Sequence, residues 1–142
     1  MATMMSAAQN LAPLDIALME QPEVVRQKAE AGDAVAQLAY AIVLDQGLHD
    51  TPSDHAGAMK WRARALQQRR MTPITQYTAA FNGQPSRVNI INMPIPVVSL
   101  GQVQALSACI ERLQTGEALQ NACGDEADAG RRARQWRLAS SS

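Results

Sequence analysis

The chain reads as an all-α protein of helix hairpins carrying one long extended, proline-containing arm, and three observations lead there. Alanine supplies much of a 46% hydrophobic content in which only 4% of residues are aromatic, so packing is expected to be close-spaced and helical. Glycine followed by a capping residue, at Gly32-Asp33, marks where one helix stops and the next starts. Helical periodicity then disappears between Thr72 and Val98, a stretch holding Pro73, Pro85, Pro94 and Pro96. At 142 residues the chain suits a single domain, able to bury roughly two thirds of its unfolded surface.

Residues 1–12 are small, polar and Met-rich and read as a flexible tail; a short apolar helix follows from Pro13 to Met19. The next helix begins at Pro22, a residue suited to the first helical position because its missing N–H would be unpaired there anyway. It runs to Ala31, where Gly32 supplies the left-handed cap and Asp33 the N-cap of its successor. That successor, about Ala34 to Gln46, is apolar on two sides, with Val35, Leu38 and Ile42 in one stripe and Tyr40, Ala41 and Leu44 in another. Two stripes describe an inner helix rather than a surface one. Gly47 ends it, and a loop through Pro52 leads to Asp54 as the cap of a third helix. There Ala58, Trp61 and Ala65 share one face, small alanines allowing close approach and the indole filling the gap. The segment 13–71 is thus a helical hairpin with a preceding helix.

The arm, 72–98, is β-branched and interrupted by prolines, with Asn82-Gly83 as a turn signal. The prolines favour an extended or polyproline-like conformation over an interior strand. So long a connection is expected either to wrap over the helices or to bind something. Helical order returns at Ser99, whose partner three residues on, Gln102, completes a capping box. Val103, Leu106, Ile110 and Leu113 form an apolar face that lasts until Gly116. A last helix, about Asp125 to Leu138, repeats with Ala133 and Trp136 the spacing of Ala58 and Trp61. The segment 99–139 therefore reads as a second, diverged helical hairpin, with Ser140 to Ser142 as a frayed end.

Taken in register, Ala29-Glu30-Ala31-Gly32-Asp33-Ala34-Val35-Ala36-Gln37 followed by Gly47, Asp54, Ala58, Trp61 and Ala65 resembles one unit of a Sel1-like repeat, a relative of the tetratricopeptide repeat. Gly32, Ala36 and Gln37 match the repeat directly. Tyr40 and Ala41 stand at its Leu-Gly pair, Leu44 at its tyrosine and Gly47 at its first loop glycine. Asp54, Ala58, Trp61 and Ala65 match its second helix once one extra loop residue is allowed. The second loop glycine and the loop valine of the repeat are missing from Leu48 to Ser53. The resemblance covers about 29–69 and implies a small bacterial-type scaffold that binds a protein or peptide, with structural rather than catalytic motif positions. Repeat arrays ordinarily stack at least three units, because one unit cannot cover its own apolar faces. The arm, a partner or self-association is then expected to cover what remains, with a groove lined by the inner helix and the arm.

Charge is balanced overall but uneven along the chain. Residues 1–54 carry eight acidic and two basic side chains, whereas residues 55–110 carry six basic and no acidic ones. With no net charge and few aromatics, the two segments are expected to attract each other rather than a nucleic acid. The clusters Arg62, Arg64, Arg69 and Arg70, and Arg131, Arg132, Arg134 and Arg137, lie beside tryptophans at core spacing, which leaves no aromatic for base stacking.

Catalytic signatures are missing: the chain holds no phosphate-cradling glycine loop, no serine elbow and no cysteine near a histidine in sequence. No catalytic residue, cofactor or resident metal is expected. His49, Asp50, Asp54 and His55 are the one cluster of metal-ligand types, and a metal-dependent enzyme or sensor at His49 and His55 is the alternative from another class. Cys109 and Cys123 admit two readings, a disulfide closing a short loop or two buried thiols behaving as small apolar residues. A cytoplasmic setting favours the thiols and an exported one the disulfide. The start, Met1 to Gln21, lacks a basic region and is broken by Asp15 and Glu20. It reads as cytoplasmic, or as a mature form whose leader has been removed. No apolar run approaches the ~20 residues of a membrane span.

Overall fold

A computed structural model describes residues 11–116 and 122–140. Its elements are α1 (Ala12–Met19), α2 (Pro22–Glu30), α3 (Ala34–Gln46), a 3-10 turn (Leu48–Asp50), α4 (His55–Gln67), β1 (Arg69–Thr78), β2 (Arg87–Pro96), α5 (Leu100–Thr115) and α6 (Glu126–Ser140). The expectation of an all-α chain is thereby corrected: an antiparallel two-stranded ribbon stands between α4 and α5. Most of the 1–12 tail lies outside the described residues, as do Ser141 and Ser142. Leu11 is already buried and Ala12 already helical.

Local chemistry sets the helix ends. Gly32, at φ +101°, closes α2 in a Schellman motif, its N–H bonding the Ala29 carbonyl while the Asp33 N–H bonds that of Lys28. The Asp33, Asp54 and Ser99 side chains each accept a backbone N–H three residues on and so cap α3, α4 and α5. Gly47, at φ +62°, ends α3 and reverses the chain.

Helix α3 is the centre of the body, packed by α1, α2 and α4. Nine of its thirteen residues are buried, which explains why its sequence shows two apolar stripes. The polar Gln37 sits in this core because both ends of its amide are engaged: Nε2 donates to the Ala29 carbonyl at 3.0 Å and Oε1 accepts from Gln68 Nε2 at 3.3 Å.

Leu14 and Leu18 of α1, Val25 of α2, Leu38 and Val43 of α3, and Leu106 and Leu113 of α5 join one core that continues to Trp136 of α6. Helix α6 makes its closest backbone approaches to α1 and to the 3-10 turn. There Arg132, fully buried, donates from Nε and Nη2 to the two oxygens of Asp15 at 2.9 and 2.8 Å and from Nη1 to the Cys123 carbonyl at 2.7 Å. Gly124, at φ +100°, follows that carbonyl because a Cβ there would stand 2.8 Å from the guanidinium. Cys123 is in turn bonded to Cys109 of α5, with Cα atoms 4.9 Å apart. The structure therefore takes the disulfide reading of the two cysteines.

The ribbon follows from its own sequence once pairing is known. Asn82 and Gly83 both take positive φ, as a two-residue type I′ hairpin turn requires. Register pairs Arg69 with Pro96, Met71 with Pro94 and Pro73 with Asn92. The Val97 N–H bonds the Gln68 carbonyl at 3.2 Å, which makes 68–97 a hydrogen-bonded pair and every second pair of the two strands, as far as Thr78–Arg87, the same. Past the strands the alternation changes phase, since Phe81 and Gln84 exchange both hydrogen bonds across the turn. Pro73, Pro94 and Pro96 all fall on the alternate pairs, whose nitrogens point away from the neighbouring strand. The prolines that argued against a strand remove no ladder bond from this one.

The buried guanidinium and the partly hydrated Asp15 (side chain 24% exposed) should respond unequally to mutation. Asp15→Asn strands a buried charge and is expected to cost about 3 kcal/mol or more, while Arg132→Met lets Asp15 rehydrate and costs less. Urea denaturation of the two variants checks the order, and a reversed order would show that the guanidinium does not carry the penalty.

Candidate interaction surface

The positions matched to the repeat come together at the α3–α4 hairpin. Ala41, Leu44 and Ala58 form a small buried cluster, and Tyr40 and Trp61 pack against it. The Tyr40 and Trp61 rings meet edge to face, with centroids 5.6 Å apart at 81°. Trp61 is half-buried, and the Arg64 guanidinium lies 4.8 Å from its ring centroid. Ala65 is buried within the main core, and Ala36 is buried as well. Gly32, Gly47 and Asp54 take the terminal and capping roles described above. Burial, its largest cause, pushes the Tyr40 phenol above its usual range.

A groove of about 290 Å³ lies between α3 and α5. Leu38, Ala41 and Ile42 form its wall on α3, and Val103, Leu106 and Ile110 form its wall on α5. Asp45, Arg62 and Glu111 bring charge to its lining, and Gln114 of α5 donates to Gln46 of α3. The inner helix forms one wall of this groove, α5 stands opposite, and no residue of the ribbon lines it. Val103 and Ile110 were legible in the sequence as an apolar face. What each residue faces depends on tertiary packing that periodicity does not report.

The metal-type cluster does not assemble. His49 Nε2 donates to the Ala17 carbonyl at 2.9 Å, tying the 3-10 turn to α1, and His55 Nδ1 donates to Asp45 at 2.5 Å. Asp54 is occupied as a cap. Among the described residues no group of three or more His, Cys, Asp or Glu side chains is placed to hold a metal ion. Several members of the arginine clusters are likewise engaged internally. Arg64 rests on Trp61, Arg69 donates to the Leu66 and Gln68 carbonyls, Arg131 pairs with Asp128, and Arg132 is buried.

The second surface is the ribbon. Apart from the half-buried Thr72, every residue of both strands is exposed, and the close packing of each strand is with the other. Met71, Ile74, Tyr77, Val88, Ile90, Ile91, Met93 and Ile95 all stand in solvent, as does Phe81 at the tip. Solvent-exposed apolar surface on this scale marks a contact site in an otherwise well-packed protein. Among the described residues no helix is long and apolar enough to cross a membrane. Compared with family models, with curated proteins and with solved structures, the chain matches none of them.

A raised phenol means that Tyr40 favours folding below the ordinary tyrosine value, about pH 10, and that this contribution is lost as pH rises through the higher folded value. Phenolate absorbance in a Tyr77→Phe background isolates Tyr40. Adding Trp61→Ala, which uncovers the ring, should bring its titration back toward the ordinary value; an unmoved titration would show that the indole does not shield it.

Proposed function

We propose that the chain is a protein–protein interaction adaptor of Sel1-like repeat type, without catalysis of its own, which takes a segment of a partner protein into the groove between α3 and α5. The observation that carries this reading is the groove itself. It is open, and its lining is apolar and polar in about equal measure: the six apolar residues of α3 and α5 are joined by Gln46, Ser107, Gln114, two carboxylates and one guanidinium. A space of about 290 Å³ admits one or two apolar side chains rather than a whole helix. The fitting partner is therefore a segment with an apolar anchor flanked by a cation for Asp45 or Glu111. The α3–α4 hairpin gives this groove a rigid wall, since alanines bring the helices close and the Tyr40–Trp61 contact fixes their spacing. The capping pattern at Gly32, Gly47 and Asp54 agrees with the repeat resemblance.

The Cys109–Cys123 bond favours a second reading of the setting, an exported disulfide-bonded domain. The two readings are compatible, because an adaptor can work outside the cytoplasm.

Ser107 is exposed and lies on the groove wall, so Ser107→Trp should fill the groove without disturbing the core. Partner capture from native extract is expected to fall at least tenfold while the melting temperature stays unchanged; undiminished capture would remove the groove from the mechanism. Thiol titration of denatured protein from its native source should find no free thiol before reductant and two after. Reduction should lower stability by about 3 kcal/mol. Two thiols reacting at once would set the exported reading aside.

A further inference from the structure

We infer that the ribbon is a self-association element, in which the outer edge of β2 pairs antiparallel with the same edge of a second copy about a two-fold axis at Ile90. The adaptor reading concerns a different surface, and this inference does not depend on it.

A two-stranded ribbon alone in water is marginal, and three or more strands with an apolar face are ordinarily needed. The ribbon has two edges, and its prolines treat them differently. Residues of the non-hydrogen-bonded pairs turn their N–H and C=O groups outward. On β2 these are Val88, Ile90, Asn92, Pro94 and Pro96, so outward donors are confined to Val88, Ile90 and Asn92. Pro85 precedes this window and Pro94 follows it, which bounds any added strand at both ends. On β1 the outward series is interrupted in its middle by Pro73. The longest uninterrupted edge is therefore the distal half of β2.

That window suits its own copy. Set antiparallel, Ile90 meets Ile90 of the second copy as a hydrogen-bonded pair, and Val88 meets Asn92 on either side of the axis. The four strands would then run β1–β2–β2–β1, with the exposed Tyr77, Val88 and Ile90 of both copies gathered on one face. Charge permits it. No acidic or basic residue lies between Arg87 and Pro96, and the two Arg87 side chains would stand about 20 Å apart along the sheet, beyond the screening length.

Other occupants fit less well. Entry into a bilayer would leave the outward N–H groups of the edge without acceptors. A nucleic acid would meet Arg87 as the single cation of the distal half, since Arg69 and Arg70 lie at the base.

Sedimentation of the intact, non-reduced chain tests the proposal. At about 100 µM it should sediment as a dimer that dissociates on dilution. Ile90→Pro removes an outward donor and no ladder bond, so it should weaken association at least tenfold while leaving the circular dichroism spectrum intact. Thr75→Pro makes the same change on the β1 edge and should leave the dimer unchanged. A wild-type monomer at that concentration overturns the proposal. So does a dimer indifferent to Ile90→Pro, or one broken equally by Thr75→Pro. Flotation of the monomeric chain with anionic phosphatidylserine vesicles would also overturn it, in favour of a membrane surface. Ser107→Trp, which addresses the groove, is expected to sediment as wild type does, so the two readings fail separately.

Discussion

The Arg132–Asp15 pair closes this molecule. It joins residues 117 apart in sequence, α1 to α6, inside a core whose other members are almost all apolar. A buried guanidinium is tolerable only when its donors are satisfied, and here both carboxylate oxygens and the Cys123 carbonyl do that. The requirement propagates. The Cys123 carbonyl must be presented at that point, Gly124 must leave room for the guanidinium, and the bond to Cys109 holds the same turn against α5. One ionic contact and one covalent bond thus draw α1, α5 and α6 around the inner helix. This answers how so small a helical body covers its apolar faces without a stack of repeats.

The covering is unequal, and the inequality separates two kinds of surface. Around α3 burial is nearly complete, down to a glutamine whose amide is engaged at both ends. The ribbon, by contrast, carries large apolar side chains that the body never reaches. Gln68 links the two regions: its side chain bonds Gln37 inside the body, and its carbonyl receives Val97 at the root of the ribbon. Val98, immediately after, is buried and anchors the returning chain.

What could be read from the sequence was local. Gly32, Asp33, Gly47, Asp54 and Ser99 act through atoms within a few residues of themselves, and each stands where its chemistry indicated. The apolar face of α5 and the double stripe of α3 were also visible, because periodicity is a property of one helix at a time. The strands were not, although Asn82-Gly83 marked their turn. Whether a proline breaks a strand depends on which of two alternating pair types it occupies, and that is undefined until register is known. Arg132 was likewise indistinguishable from its neighbours Arg131 and Arg134, since its burial depends on a carboxylate at the other end of the chain.

The meeting of Gln68 and Val97 has a consequence for how this chain can vary over evolutionary time. The insertion between α4 and α5 leaves and re-enters the helices through two adjacent residues, so the body cannot sense its length. Matched additions or losses, one residue on each limb, would preserve the anchoring pair and alter reach alone. An unmatched change on a single limb would invert which side chains face which way beyond it. Lineages carrying this domain should therefore differ in the span of the protrusion far more freely than in its parity.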